Sequence, residues 1–111
     1  MWRKASGEVK DMSLLAKVHK KDKKTIVAVC DSELIGKVFD ENKVQLDLRG
    51  DFYKGEEKSQ EEIGDLMRNA DGVNLVGEKA IELGLSEGVI EKSQVVKVKG
   101  IPHAQGTFVQ E

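Results

Sequence analysis

The run TIVAVC, at residues 25–30, constrains the fold of this chain more than any other segment. Every residue from Ile26 to Cys30 is apolar, so an extended segment here would be buried on both faces, as in a central strand. The preceding run LLAKVH, at residues 14–19, alternates in the way expected of a half-buried neighbouring strand. The charged segment KKDKK, at residues 20–24, separates the two runs. We therefore expect a hairpin whose second strand lies inside a sheet.

Two helices and further strands follow along the chain. The segment at 36–48, GKVFDENKVQLDL, predicts a second hairpin that turns at residues 40–43. The capping-box pattern SQEE, at 59–62, predicts a helix, and NLVGEKAIELGLSEG, at 74–88, predicts a second helix that ends near Gly88. The segments VVKVK, at 95–99, and GTFVQ, at 106–110, predict the last strands. Between these elements, Asp31 or Ser32 is placed to cap a single helical turn, and Phe52 and Tyr53 are expected to anchor a loop to the core.

Strands that are grouped before helices favour an α+β fold over a doubly wound parallel sheet. We expect a two-layer sandwich, with an antiparallel or mixed sheet and two helices on one face. A length of 111 residues fits one domain. Residues 1–13 show no clean period, so we expect a loosely ordered N-terminal extension followed by a single α+β domain at 14–111.

The composition excludes several classes of protein. The net charge is −2, so any contact with nucleic acid must come from a local basic patch. The single cysteine cannot form an internal disulfide framework and fits a reducing, cytoplasmic location. No apolar run approaches the roughly 20 residues of a membrane span, and no signal-peptide pattern opens the chain.

A basic patch is present at the first predicted turn. On a hairpin tip, its lysines would contact phosphates, which makes RNA or a ribonucleoprotein the expected partner. The alternative is a solvated tip whose charges discourage pairing between sheet edges. The candidate nucleic-acid-binding residues are Lys17, Lys20, Lys21, Lys23 and Lys24.

The heptapeptide GIPHAQG, at residues 100–106, contains the only proline of the chain and one of its two histidines. The proline restricts its own φ and the backbone of Ile101, and the flanking glycines permit unusual angles. These residues predict a stiff loop that holds His103 and Gln105 in defined directions. The alternative is a tight connection between strands in which His103 bonds to a backbone carbonyl.

We expect no metal and no cofactor. His19, Cys30 and His103 lack the spacing of metal ligands, and Cys30, at the end of an apolar strand, is typical of a buried thiol. No local motif supports a Cys30–His103 nucleophilic pair. Gly72 and Gly77 lack the spacing of a phosphate-binding loop.

Several segments, in their order along the chain, resemble the archaeal domain-of-unknown-function family 424 (DUF424). They are IVAVCDSELIGKVF, KVQLDL, DFYKGE, NLVGEKAIELGL and GIPHAQ, within residues 14–109. The resemblance implies a small archaeal cytoplasmic protein with a two-layer α+β fold and no established activity. The residues that match the family motifs are Asp31, Glu33, Leu34, Gly36, Asn74, Gly77, Glu78, Pro102, His103, Ala104 and Gln105.

Three functional hypotheses follow. The first is a non-catalytic binding module that docks on RNA or a ribonucleoprotein, such as the translation machinery. The second is a small-ligand enzyme or sensor in which Asn74, Glu78, His103 and Gln105 line one shallow polar site next to Gly77 and Pro102, with a His–carboxylate pair for acid–base work. The third is a homo-oligomer that assembles through the loop at 51–55 or through an open strand edge.

Overall fold

The structure is a computed structural model, and it describes residues 14–108. The predicted extension at 1–13 and the last residues, 109–111, lie outside the described residues. The described elements, in chain order, are β1 (Leu14–Lys21), β2 (Lys24–Asp31), β3 (Val38–Glu41), β4 (Val44–Asp47), β5 (Glu56–Glu57), α1 (Gln60–Arg68), β6 (Gly72–Val76), α2 (Glu78–Ser86), β7 (Val96–Val98) and β8 (Ile101–Thr107). Short 3₁₀ turns occupy Ser32–Leu34 and Lys92–Gln94.

Six strands form one mixed sheet in the order β5-β1-β2-β6-β8-β7. The pair β2–β6 is parallel, and the other pairs of this sheet are antiparallel. β2 pairs with β1 on one side and β6 on the other, which confirms that residues 26–30 form a central strand. Because β2 and β6 are parallel, α1 lies in the crossover between them.

Both helices pack on the same face of the sheet, as predicted. From the sheet, this core receives alternate residues of β1, β2 and β6, among them Val27, Val29 and Leu75, together with Ala104 of β8. From the helices it receives Ile63 and Met67 of α1 and Ala80, Ile81 and Leu83 of α2. The shared core confirms an α+β fold with the helices on one face.

The hairpin β3–β4 and the loop after it cover part of the other face. Cys30 and Val76, the ends of the parallel strand pair, are buried there against Leu34, Leu48 and Tyr53. Apolar residues on both faces of β2 and β6 are thus buried by helices on one side and by the hairpin on the other. The hairpin therefore adds a partial third layer to the two that were expected.

Residues 72–76 form strand β6, where the sequence predicted the end of one helix and the start of the next. Val73 and Leu75 face the helices, while Val76 is buried on the opposite face. An apolar run buried on both faces is the mark of an interior strand, and it is easily mistaken for part of a helical stripe. Helix α2 consequently begins at Glu78 and not at Asn74.

The prediction of a stiff loop at 100–106 is also wrong, since Ile101–Thr107 is strand β8. The turn lies at Lys99 and Gly100, whose φ angles are 53° and 80°. The carbonyl of Pro102 accepts a hydrogen bond from the N–H of Gly77 at 2.9 Å. The backbone nitrogen and carbonyl of Pro102 therefore face the β6 side and point away from β7. Its missing N–H therefore costs no bond in the β7–β8 ladder, which explains why the strand tolerates a proline.

Candidate functional site

The turn between β1 and β2 carries the basic patch that the sequence indicated. Asp22 and Lys23 have φ angles of 54° and 68°, which make a two-residue turn that suits the twist of the flanking strands. Four side chains project from this turn and are exposed: Lys20, Lys21, Lys23 and Lys24. We call these four residues the lysine turn. Within residues 14–108, no ion pair joins any of them to a carboxylate.

The register makes the lysine turn electrostatically unfavourable by itself. Lys21 and Lys24 are direct cross-strand partners, so their side chains leave the same face side by side. Like charges in directly opposed positions destabilise a sheet. Asp22, in the turn itself, offsets one of the four positive charges, and the excess that remains at the tip favours an anionic ligand.

Lys17 behaves differently from the other lysines of the predicted patch. Its Nζ donates to the carbonyl oxygen of Asp51 at 2.9 Å, and its side chain is half-buried. Nε2 of His19 donates to the carbonyl of the next loop residue, Phe52, at 2.8 Å. Lys17 thus holds the loop after β4 against β1, unlike the four exposed residues of the lysine turn.

An aromatic pair lies at the base of the lysine turn. The rings of His19 and Phe52 are stacked, with centroids 4.3 Å apart and planes at 10°. Tyr53 meets Phe52 edge-on at 5.0 Å and is packed into the core, where burial raises the pKa of its hydroxyl to about 12. Tyr53 anchors the loop as predicted, whereas Phe52 remains 43% exposed and does not.

The four residues of the predicted polar site do not meet. Asn74 and Gln105 are direct partners in the β6–β8 register, and His103 lies opposite Val76, so these three side chains share the face away from the helices. Glu78 begins α2 on the helix side and lines a pocket with Pro102. Nε2 of His103 is buried without a hydrogen-bond partner among the described atoms. No described contact joins His103 to Glu78, and Pro102, which neighbours His103 in β8, is the strand residue that lines a pocket with Glu78.

Several residues that match the family motifs do lie close together, at the carboxyl ends of β2 and β6. A pocket of about 230 Å³ is lined there by Glu33, Gly77, Glu78 and Pro102 together with Asp31. The Asp31 carboxylate accepts the backbone N–H groups of Lys79 at 3.2 Å and Ala80 at 2.9 Å. Asp31 therefore caps helix α2 and not the 3₁₀ turn that follows it in sequence, to which its side chain makes no capping bond.

The environment of Asp31 accounts for its ionisation. Its side chain is 6% exposed, and this burial raises the pKa of the carboxyl above 3.8, while the two N–H bonds and the charge of Lys79 oppose the rise. Gly77 leaves room for the carboxylate, since a Cβ at this glycine would lie 2.3 Å from Cγ of Asp31. The carboxylate is thus occupied by the start of α2, and the motif residues here serve the junction of strand and helix.

Cys30 is a buried free thiol, as the sequence predicted. Its thiol is fully buried and donates to the carbonyl of Asp31 at 3.3 Å. Burial, with a smaller effect from the charge of Asp31, raises the pKa of the thiol to about 12. Among residues 14–108, no group of three or more His, Cys, Asp or Glu side chains could hold a metal ion. The helices of the same residues are too short or too polar to cross a bilayer.

Comparison with known proteins identifies the family. No curated protein matches the sequence. The chain is similar in structure to a protein from Methanopyrus kandleri, described as an uncharacterized conserved protein, with a TM-score of 0.72 and 19% sequence identity over 88% of this chain and 95% of that one. This similarity shows a shared fold. The family model described as protein of unknown function DUF424 matches residues 18–107, and the chain belongs to this family.

Proposed function

We propose that this protein is a cytoplasmic, non-catalytic RNA-binding module whose lysine turn contacts RNA phosphates. The observation that carries the proposal is the group of four exposed lysines without an ion-pair partner among the described residues, with Lys21 directly opposite Lys24. Phosphates placed between these ammonium groups would remove their mutual repulsion. Binding would also release the counterions condensed on the RNA, which is the main source of affinity for such patches.

The charge of the remainder of the chain supports a single, oriented contact. The net charge is −2 although the lysine turn contributes four positive charges, so the surface outside the turn is acidic in sum. That surface would repel RNA while the turn attracts it, which orients the protein on its ligand. The fully buried Cys30 thiol is compatible with the reducing cytoplasm.

Charge reversal tests this function. The variant K20E/K21E/K23E/K24E is compared with the wild type by fluorescence anisotropy of a labelled RNA at several salt concentrations. The wild type is expected to bind with an affinity that falls as salt rises, and the variant to lose binding. The matched control, K37E/K43E/K92E/K97E, changes four exposed lysines elsewhere and produces the same net charge. Equal affinity of the wild type and the lysine-turn variant, or an equal loss in both variants, would refute the proposal.

A ribonucleoprotein partner and self-association are two further predictions. The first is tested by affinity capture from native lysate with and without nuclease, and the nuclease should release the partner. Assembly through the loop at 51–55 or through a free sheet edge is measured by size-exclusion chromatography with light scattering.

A further inference from the structure

We propose that the exposed ring of Phe52 is a base-stacking site, so that the lysine turn and Phe52 together recognise single-stranded RNA. This inference rests on the proposed function and adds the class of RNA. The structure supplies two kinds of contact side by side, namely unpaired ammonium groups for phosphates and an aromatic face for a base. Proteins that bind single strands combine these two contacts, because every base has a π-face that is free only outside a duplex.

The position of Phe52 is fixed by the strand beneath it. Lys17 and His19 bond to the carbonyls of two consecutive loop residues, Asp51 and Phe52, at 2.9 and 2.8 Å. The imidazole of His19 stacks on the phenyl ring with centroids 4.3 Å apart, and Tyr53, which follows Phe52 in the chain, is half-buried against the core. The ring is therefore held before a ligand arrives, and little conformational entropy is lost when a base stacks on it.

Exposure of this ring is unusual in the described part of the chain. The large apolar side chains that are exposed there are Val18, Val44, Phe52 and Val96, and Phe52 is the one aromatic residue among them. A ring that is 43% exposed and already stacked on one neighbour gains from further stacking. A partly exposed aromatic ring beside a basic turn can bind a nucleotide through its base and its phosphate together.

The distance from the ring to the lysines suits one or two nucleotides. Lys21 lies two residues after His19 on the same face of β1, so with about 3.3 Å per residue it lies roughly 7 Å along the strand from the ring that stacks on Phe52. The flexible side chains of Lys21 and of its cross-strand partner Lys24 extend this range. A strand whose base covers Phe52 can therefore place its neighbouring phosphates at the lysine turn. A duplex keeps its base faces stacked inside and can offer only the phosphates.

Substitution of Phe52 separates stacking from charge. Binding of a labelled oligouridylate of about 12 nucleotides and of an RNA duplex of similar length is measured for the wild type and for F52A, F52L and F52W. One stacked base corresponds to about 1–3 kcal/mol, so F52A and F52L are expected to bind the single strand about 5- to 150-fold more weakly, with an unchanged salt dependence. Duplex affinity should stay constant, and F52W should retain single-strand affinity. The control V44A removes an exposed apolar side chain from the β3–β4 hairpin and should have no effect.

The outcomes distinguish this inference from the function on which it rests. If F52L, which preserves apolar packing, binds the single strand as the wild type does, stacking is refuted while the loss caused by lysine reversal still supports RNA binding. If F52A and F52L weaken duplex and single strand equally, the ring positions the loop and stacking is again refuted. If lysine reversal leaves both RNAs bound, the proposed function itself fails.

Discussion

Asp31 shows how one residue can connect elements that are distant in sequence. Its carboxylate, at the end of β2, bonds to N–H groups at the start of α2, and Gly77 provides the space. The sequence predicted that Asp31 or Ser32 caps the adjacent helical turn, whereas Asp31 caps α2. The correct helix follows from the parallel pairing of Cys30 with Val76, which is a long-range contact that local patterns do not reveal.

The raised pKa of Asp31 predicts a pH effect with a definite sign. The folded state holds the proton more tightly than the unfolded chain, so ionisation destabilises the fold, and this destabilisation grows as pH rises from about 3.8 through the raised pKa. We expect the free energy of unfolding of the wild type minus that of D31N to decrease over this range and then to level off. Urea denaturation at a series of pH values measures this difference.

The exposed carboxyl of Asp47 provides a control in which the pKa is lowered and not raised. The Arg49 guanidinium lowers the pKa of Asp47 to about 2, so the stability that depends on ionised Asp47 is lost as pH falls from 3.8 toward that value. The difference between the wild type and D47N should therefore increase with pH over this range. A D31N series with the same sign as the D47N series would contradict the role assigned to burial.

At the scale of elements, the junction between β6 and α2 depends on a glycine. Gly77 has a φ of 107°, and a Cβ there would collide with the Asp31 carboxylate at 2.3 Å. We expect G77A to destabilise the protein by at least about 2 kcal/mol, from backbone strain and displacement of the cap. Thermal or chemical denaturation measures the change.

Gly50 is the matched control for this substitution. It lies in an exposed bend with no positive φ, and a Cβ would meet nothing within 4 Å. G50A should therefore change the free energy of unfolding by no more than about 0.5 kcal/mol. Similar effects of G77A and G50A would show that the junction does not require a glycine.

Elements with strong local determinants were predicted from the sequence, and elements defined by distant partners were not. Ser59 and Glu62 form the capping box of α1 that their spacing indicated, and the lysine turn lies between the two strands expected to flank it. β6 was missed because its five apolar-rich residues continue the helical stripe of α2. β8 was predicted as a loop because a proline usually interrupts a strand. Pro102 is tolerated here because it lies just beyond the last β6–β8 pair, Val76 with His103, and this position depends on a distant partner.

For the whole molecule, the α+β class and the position of the helices were predictable because burial patterns determine which faces must be covered. The candidate site was only partly predictable. The lysines of the turn were found from the sequence, whereas the ring at their base was not. Phe52 reaches His19 through a loop whose path is set by hydrogen bonds to β1, and no sequence spacing encodes that path.

Cys30 provides a probe of global stability. Its thiol is fully buried in the centre of the sheet, and burial raises its pKa to about 12, so the native protein should not react with Ellman's reagent at pH 8. Reaction should proceed at the rate of unfolding and reach one thiol per chain in guanidinium chloride, which serves as the control. Fast labelling of the native protein would show that the sheet opens locally near β2.

The parallel contact between β2 and β6 has a consequence for protein synthesis. The β1–β2 hairpin is complete once residue 31 is made, but the second edge of β2 finds its partner only after residues 72–76. During this interval the ribosome-bound chain carries an apolar strand with one unpaired edge, which invites association with other nascent chains. Two such hairpins that paired their β2 edges in parallel would bring their lysine tips together, so charge repulsion would disfavour that pairing of unfinished sheets.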